Sequence, residues 1–557
     1  MPAPARWRTG LANLRTHTGT IGSVRTALAR PKVSLTCPTG RSKATEALSM
    51  HPDRGVTWGG AIRRPVALAV AVLLLLAANV HATLAVTGSP YDPAADAYSM
   101  ANTTAILGAQ AWWDAGYTGA GVDVAVIDSG VAPVEGLSAP GKVIYGPDLS
   151  LESQSPDLRN LDTYGHGTFM AGLIAGRDDN AAAPYSADLP SVYLGVAPDA
   201  RIVSLKVATA DGGTDVSQVI AAIDWVVQHK DDNDLNIRVL NLSYGTNSTQ
   251  GYWNDPLAYA VEQAWKHGIL VVAAAGNTGY QKGHGALGLA DPAYDPSLLA
   301  VGGLDAVGTA SMSDDVPGSY TASCNRCRNP DVWTVGSHLQ GLRVPNSFLD
   351  ATHPEGVIDG RYFRGSGTSE AAAVTSGMAA LILQKYPSFT PDQVKAFLVD
   401  NGRALGNAAG GPTHVVETDL TGMLRARTPR KATQTLHAEG TGSLEAARGS
   451  DHLTRDGIVL QGEQDIFGAP FDSRSMARLE ARATSWSAGT WNGNTWTGNT
   501  WTGNTWAGNT WTGNTWAGNT WTGNTWTGNT WTGNTWTGTS FSGNTWSGNT
   551  WATDTWD

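Results

Sequence analysis

Between residues 97 and 451 the chain alternates short β-branched runs with longer segments that have the apolar period of a helix. The strand-like runs lie at 122–127, 202–208, 237–244 and 269–275. Segment 215–229 instead places its apolar residues at the i, i+3, i+4 spacing of a helix that faces a core. This alternation predicts an α/β fold, a parallel sheet with helices on both faces and a ligand site at the carboxyl ends of the strands.

Capping signals agree with this pattern. Asp255 can cap one helix, which Gly268 would end, and Thr390 starts a second with a capping-box sequence. Segment 369–386 is an alanine-rich helix candidate that Pro387 would terminate.

Four short motifs lie at predicted strand ends or helix starts. They centre on Asp128 (D-S-G), His166 (H-G-T), Asn277 (A-A-A-G-N) and Ser369 (G-T-S). Each alone is explained by an ordinary structural role, such as a turn aspartate, a buried histidine or a helix-capping serine. Together they supply what acyl transfer needs: a nucleophile, a base, an acid that orients the base and an oxyanion donor. The chain order Asp, His, Ser is that of subtilisin and differs from chymotrypsin and the α/β-hydrolases.

On these motifs the chain resembles the subtilase family. Two further segments carry the resemblance: 194–198 (L-G-V-A-P, with a strand after it) and 241–245 (N-L-S-Y-G). The similarity covers roughly 109–401, with a final segment at 440–448. It implies a subtilisin-like α/β fold and a secreted serine endopeptidase that hydrolyses peptide bonds through an acyl-enzyme.

The resemblance also assigns roles to residues. Ser369 is the expected nucleophile, His166 the base and Asp128 the group that orients His166. Asn277 and the backbone N–H of Ser369 are the expected oxyanion donors. Substrate is expected to add as a β-strand between two cleft walls, formed by Ser243, Tyr244 and Gly245 on one side and Ala274, Ala275 and Gly276 on the other.

The chain departs from the family pattern at several places. Glu370 follows the nucleophile where family members usually have methionine, and the stretches 186–193 and 279–365 do not follow the usual loops. The family's calcium loop has no evident counterpart, and the acidic segments 178–180 and 231–234 are interpreted as solvated loops. We therefore expect no metal site and no required cofactor, with structural calcium not evident.

Net charge limits the kinds of partner that the chain can bind, and the cysteine spacing limits the metal sites that it can form. The formal net charge is −11, although eleven basic residues and only two acidic ones precede Pro65, so the remainder is strongly acidic. An acidic body argues against nucleic acid, because phosphate binding needs a basic face, and favours protein or peptide substrates. Cys324 and Cys327 could form a local disulfide or remain two thiols, and with Cys37 they show no zinc-site spacing.

The N-terminal region predicts export. The apolar run 66–78 follows two arginines and precedes the small residues of 80–82, which is typical of a secretory signal peptide. It is short for a membrane span, which needs about 20 residues. We interpret 1–82 as an upstream extension with the signal peptide, and Met50 as the hypothetical true start. A short N-terminal segment, 83–108, then leads to the peptidase domain, 109–450.

The C-terminal region is expected to be a linker, 451–484, and a tail, 485–557, that repeats the pentad W-T-G-N-T with small substitutions. A period of five matches neither a helix nor a flat strand. Coiled repeats with a turn in each pentad and a low-complexity spacer both remain open. Regularly spaced tryptophans could contact sugar rings or a cell surface. The alternative function is therefore an inactive subtilase-like scaffold whose tail binds a cell surface or polysaccharide.

Overall fold

The computed structural model describes residues 91–496, except 154, 156, 282–287, 325–326, 406–411, 413–414, 430–431 and 456–457, and the backbone of five short strands beyond 496. The expected signal peptide, the start at Met50, Cys37 and most of the repeat tail lie outside these residues. No helix in the described part of the chain is long and apolar enough to cross a membrane.

The α-helices of the described residues are α1 (Met100–Ile106), α2 (Ala109–Asp114), α3 (His166–Ala175), α4 (Val216–His229), α5 (Pro256–Lys266), α6 (Phe348–Thr352), α7 (Thr368–Lys385), α8 (Pro391–Asp400), α9 (Leu444–Arg448) and α10 (Ser473–Glu480).

The strands up to residue 496 are β1 (Asp123–Asp128), β2 (Val143–Tyr145), β3 (Arg201–Lys206), β4 (Ile237–Leu242), β5 (Leu270–Ala274), β6 (Leu299–Asp305), β7 (Val316–Pro317), β8 (Val332–Val335), β9 (Leu339–Leu342), β10 (Tyr362–Gly367), β11 (Arg403–Ala404), β12 (Val416–Glu417), β13 (Thr454–Arg455), β14 (Ile458–Val459), β15 (Trp486–Ser487), β16 (Thr490–Trp491) and β17 (Asn494–Thr495).

The main sheet has the strand order β11-β12-β8-β6-β5-β4-β1-β3-β2, and β7 pairs with β6. Its pairs are parallel apart from β11–β12 and β6–β7. The central strands β1 and β5 are buried along their whole length, as expected of parallel strands with a layer on each face. This confirms the α/β fold with a mainly parallel sheet.

The predicted capping signals form as side-chain hydrogen bonds. Asp215 caps α4 and Thr390 caps α8, each in a complete capping box, and Asp255 accepts from two backbone N–H groups at the start of α5. The strands predicted at 122–127, 202–208, 237–244 and 269–275 are β1, β3, β4 and β5, most of them one or two residues shorter. Residues 207–208, 243–244 and 275, left over from these runs, follow the strand ends, where the functional motifs lie.

Residues 451–484, which we expected to be a linker, contribute to the same hydrophobic core as the sheet. Leu453, Leu460, Phe467 and Phe471 are buried there. The charged segment that precedes the tail forms α10, which packs against α5. The chain therefore stays attached to the α/β body well beyond residue 450.

The first pentads are folded and docked. Strands β15, β16 and β17 form an antiparallel meander in which Trp486 pairs with Trp491. The two-residue turn at Asn492 and Gly493 has φ values of 46° and 77°, the left-handed region used in tight hairpins. Each of these pentads is thus a short strand and a turn. The turn in each pentad agrees with one of the arrangements left open by the sequence, although the strands form an antiparallel meander and not a coil.

The same register recurs in the backbone beyond residue 496. Thr505–Trp506 pairs with Asn509–Thr510, and Thr525–Trp526 pairs with Asn529–Thr530. Thr553–Thr555 pairs antiparallel with β10. Elsewhere in the described chain, Cys324 and Cys327 form a disulfide, the first of the two arrangements left open for them.

Candidate active site

The carboxylate of Asp128 and the imidazole of His166 are in direct contact. Asp128 ends β1, His166 begins α3, and both are almost fully buried. The Nδ1 atom of His166 lies 2.9 Å from Oδ1 and 3.0 Å from Oδ2 of Asp128. When Nδ1 donates to this carboxylate, the neutral ring carries its lone pair on Nε2, which is the protonation pattern of a general base.

A glycine after the histidine makes this contact sterically feasible. A Cβ atom on Gly167 would lie 2.2 Å from the carbonyl oxygen of Gly130 and 3.0 Å from Oδ1 of Asp128. Both atoms are held by backbone geometry or by the site itself, so neither can move away cheaply. The H-G-T motif is therefore required by the close approach of α3 to the end of β1.

A second buried carboxylate, Asp162, supports the first and was not identified from the sequence. It accepts hydrogen bonds from the hydroxyl of Ser129 at 2.8 Å and from the N–H groups of Gly165 at 2.6 Å and Thr168 at 2.7 Å. The hydroxyl of Ser129 in turn accepts from the N–H of Gly167 at 2.9 Å. The available signal was an aspartate just before a helix, which is typical of helix caps.

A buried ion pair anchors the peptide after Asp128. Lys206 on β3 is opposite Asp128 in register, and its Nζ atom lies 2.8 Å from the Ser129 carbonyl oxygen and 3.1 Å from Glu152. Both side chains of the pair are at most 1% exposed. Because removing one partner of such a pair leaves an uncompensated buried charge, the pair holds this turn firmly. The sequence placed Lys206 in a strand but gave no reason to make it a site residue.

Burial raises the pKa of Asp128 to about 6, although the neighbouring His166 and the N–H of Ser129 act in the opposite direction. Desolvation favours the neutral acid, whereas a cation or a donor nearby favours the carboxylate. The charge that would stabilise a protonated His166 is therefore lost as pH falls through this range.

Ser369 lies in the first turn of α7 and is buried. Its hydroxyl donates to the carbonyl oxygen of Ser243 at 3.3 Å. Ser243 follows the carboxyl end of β4, the parallel neighbour of β1, so it lies at the same sheet edge as Asp128. Helices α3 and α7, which begin with the histidine and serine motifs, pack against each other.

Asn277 is fixed by Thr368, the residue before Ser369. Its Oδ1 atom accepts from the backbone N–H of Thr368 at 3.1 Å and from the Thr368 hydroxyl at 3.0 Å. Its Nδ2 atom is buried and has no hydrogen-bond partner among the described residues. This leaves one amide donor available beside the first turn of α7, where backbone N–H groups also lack helical partners.

A sequence model described as the subtilase family matches residues 119–442, more than half of the chain. The chain belongs to the subtilase family. It is 34% identical to serine protease AprX of Bacillus subtilis over 287 residues, which are 50% of this chain and 61% of that protein. It is 31% identical to subtilisin DY of Bacillus licheniformis over 293 residues, 53% of this chain and 88% of that protein. A solved cold-adapted subtilisin-like serine proteinase shares 27% identity over 54% of this chain and 90% of its own, with a TM-score of 0.39.

The two predicted cleft walls of this subtilase meet at Ala290. A Cβ atom on Gly245 would lie 2.6 Å from the Cβ of Ala290, so only glycine fits there. The N–H of Ala290 donates to the carbonyl oxygen of Ala275 at 3.0 Å. Ala290 thus connects the wall of Ser243, Tyr244 and Gly245 with that of Ala274, Ala275 and Gly276. It lies in a stretch without family-like loops and was missed.

Two acidic residues of this subtilase, Glu370 and Asp178, are buried. Glu370 is fully buried in the first turn of α7, beside the serine. Asp178, expected to be a solvated loop charge, is buried and forms an ion pair with Arg361 at 2.6 Å, so that interpretation was wrong. Asp231 is exposed, as expected. Among the described residues no group of three or more histidine, cysteine or acidic side chains could hold a metal ion.

Proposed function

We propose that this subtilase is a secreted serine endopeptidase that cleaves peptide bonds with Asp128, His166 and Ser369. The contact of His166 Nδ1 with both carboxylate oxygens of Asp128 carries the proposal. A turn aspartate or a structural histidine has no need of this bifurcated contact, whereas a general base needs its tautomer and orientation fixed.

In this mechanism the hydroxyl of Ser369 attacks the substrate carbonyl carbon and His166 Nε2 takes its proton. Asp128 stabilises the imidazolium that forms, and this is why its charge matters. The developing oxyanion accepts hydrogen bonds from Asn277 Nδ2 and the backbone N–H of Ser369. His166 then returns the proton to the leaving amine, and water hydrolyses the acyl-enzyme by the same steps in reverse.

The substrates proposed are proteins and peptides, bound as an extended strand along Ser243, Tyr244 and Gly245. An extended peptide satisfies the backbone groups that follow β4, and the small side chains of the opposite wall leave room for a substrate side chain. None of these steps uses a metal or an organic cofactor, so we propose that none is required for catalysis.

The apolar run 66–78 supports secretion. N-terminal sequencing of protein from the culture medium tests this, and a mature chain that begins after residue 82 is expected. A chain retained with this run intact would contradict export by cleavage.

Active-site labelling tests the chemistry. The full chain is treated with a fluorophosphonate probe as wild type, as Ser369→Ala and as the control Ser388→Ala, which changes an exposed serine. We expect labelling of wild type and control and none of Ser369→Ala, because only an activated hydroxyl attacks the probe.

Folded wild-type protein that resists the probe would favour the inactive scaffold with a binding tail. Contact of the tail with a cell surface is tested separately by sedimentation with insoluble cell-wall material. The full chain is compared with a chain that ends at Trp496, which keeps the docked pentads. Equal sedimentation would argue against surface binding by the later repeats.

A further inference from the structure

The chain continues past the residues that the family model matches, and the continuation contacts the substrate cleft. We call residues 443–496 the C-terminal extension, of which 443–448 belong to the final segment that resembles the family. It begins with α9 and, in its described residues, remains packed on the α/β body as far as Trp496. The question is what this attachment does for the cleft.

Arg448, the last residue of α9, is 1% exposed and holds the start of α4. Its Nε atom donates to Oδ2 of Asp215 at 2.6 Å, and its guanidinium also donates to the carbonyl oxygens of Gly462, at 2.7 Å, and Gln464. Asp215 is the N-cap of α4 and accepts from the N–H of Ser217 at 3.0 Å. A planar guanidinium serves several acceptors in fixed directions, which a lysine ammonium does not.

The same end of α9 also holds the substrate strand. Thr246, directly after Gly245, donates through its hydroxyl to the carbonyl oxygen of Ala447 at 2.6 Å. The next residue, Asn247, accepts from the N–H of Ser450 at 2.7 Å. Two segments that are far apart in the chain are therefore both attached to residues 447–450.

Tyr244, two residues before Thr246, is buried near these contacts. Its side chain is 1% exposed, and its hydroxyl has no hydrogen-bond partner among the described residues. Burial raises the pKa of its phenol, with Asp215 adding to the rise and Arg448 opposing it, which places both charged groups near the ring. Tyr244 thus belongs to the substrate strand and lies near Asp215, at the end of the other segment.

That segment, residues 207–215, follows the carboxyl end of β3. Since β4, β1 and β3 are parallel neighbours, it lies at the same sheet edge as Ser243 and Asp128. A long peptide paired along 243–245 reaches beyond the residues next to Ser369. It then extends over Tyr244 toward segment 207–215. The spacing of the two segments then decides how well the distant part of the substrate fits.

We infer that Arg448 is a positioning residue that sets this spacing, so that the C-terminal extension governs recognition of extended substrates and leaves the chemical step unchanged. The inference rests on the proposed function, since it concerns substrates of that reaction. Arg448 itself is buried and acts only through Asp215 and the carbonyls that it holds.

Steady-state kinetics of the full chain test the inference with two p-nitroanilide substrates that share the residue at the cleaved bond. One has a single residue and the other is a tetrapeptide. In Arg448→Lys we expect KM for the tetrapeptide to rise about fivefold, the effect of one weakened hydrogen bond, with kcat nearly unchanged. The single-residue substrate should show no comparable change. Arg478→Met, which alters an exposed arginine of α10 in the same extension, is the control.

A second pair of variants avoids the risk that a buried arginine substitution fails to fold. Thr246→Val removes the hydroxyl that bonds Ala447 at constant volume, and Thr246→Ser keeps it. We expect KM for the tetrapeptide to rise in Thr246→Val and to keep the wild-type value in Thr246→Ser.

The outcomes separate the two proposals. Wild-type protein that cleaves neither substrate and takes up no fluorophosphonate overturns the proposed function and, with it, the inference. Active wild type in which Arg448→Lys and Thr246→Val change both substrates equally, or change neither, overturns the inference alone.

Discussion

At the scale of single residues, the site combines a buried acid with a buried base. Asp128 is desolvated enough for its pKa to rise to about 6, yet it faces His166 and accepts from the N–H of Ser129. In the proposed mechanism the carboxylate must stay ionised to stabilise the imidazolium during turnover. The same burial that strengthens the interaction therefore limits the pH range in which it operates.

This balance predicts an acid limb in the pH profile. As pH falls toward and below about 6, Asp128 takes up a proton and kcat/KM is expected to decrease, because the neutral acid no longer stabilises protonated His166. Measured from pH 9 to pH 5 on the tetrapeptide, the limb reports the coupled pair and not one residue. Asp128→Asn should lower kcat at pH 8 by about 10⁴-fold, as in the analogous substitution of another serine protease. A flat profile in wild type would contradict the assignment.

The amide of Asn277 gives a second residue-scale prediction. Its Oδ1 atom is occupied by Thr368, which leaves Nδ2 for the oxyanion. Asn277→Ala should lower kcat by about 10²–10³-fold with KM nearly unchanged, the magnitude known for the corresponding subtilisin donor. Asn180→Ala, at an exposed position, is the matched control. A variant that changes KM alone would show that Asn277 binds substrate in the ground state.

At the scale of elements, apolar runs were enough to predict the strands that precede the motifs, and periodicity and capping predicted the neighbouring helices α4 and α8. β1, β4 and β5 are apolar runs of strand length, and α4 and α8 begin at capping boxes. The stretch 279–365 was not assigned from the sequence, although it contains β6, a seven-residue strand that pairs in parallel with β5 and β8. Lys206 was missed for another reason: its partners Ser129 and Glu152 are distant in sequence, so nothing local marks it. The contact of Asp162 with Ser129 is likewise distant, and its position before a helix indicates only a cap.

The docked pentads were also beyond prediction, since their position depends on contacts with elements far away in sequence. Trp491 donates through Nε1 to Asp224 on α4 at 2.7 Å, and Asn492 and Asn494 both donate to Asp465 at 2.7 Å. Between Trp491 and Trp536, position 492 is the only one where asparagine follows the tryptophan of a pentad. Its positive φ and its bond to Asp465 explain why this pentad occupies the docking site.

The contact of Trp491 with Asp224 makes the docking pH-dependent. Burial raises the pKa of Asp224 to about 7, far above the value of about 3.9 in an unfolded chain. Burial and the proximity of Asp224 also raise the pKa of Glu480. Between pH values of about 4 and 7, Asp224 binds more protons in the folded state than in the unfolded state. The contribution of Asp224 to the free energy of unfolding therefore falls as pH rises from about 4 through 7.

Asp224→Asn tests this directly, because an amide still accepts from Trp491 and does not titrate. We expect the variant to be about as stable as wild type at pH 5 and more stable at pH 8, with Tm higher by about 2–4 °C. The measurement is Tm by calorimetry at both pH values, with Asp231→Asn at an exposed position as control. A difference in Tm that is the same at both pH values would contradict a buried, titrating Asp224.

At the scale of the whole molecule, the peptidase body and the beginning of the repeat tail form one unit. The core that surrounds the sheet includes residues from Met100 to Trp496, and the C-terminal extension reaches both the cleft and the far side of α4. The sequence suggested a boundary near residue 450 because the family-like similarity ends at 440–448. Packing continues past this boundary, because the aromatic residues of 467–496 cover α4 and α5.

Two truncations of the chain test whether the folded unit ends at residue 484 or at residue 496. A chain that ends at Thr484 loses Trp486, Trp491 and Trp496, which are at most 6% exposed, and leaves Asp224 buried without its indole donor. A buried aromatic side chain contributes about 2 kcal/mol, so we expect Tm to fall by about 5–10 °C. A chain that ends at Trp496 keeps these contacts and should melt with the full chain. Both truncated chains keep Arg448 and Ala447, which hold Asp215 and Thr246, so the loss of stability is separate from the substrate effect inferred for Arg448. Equal Tm values for both truncations would place the end of the folded unit before the repeats.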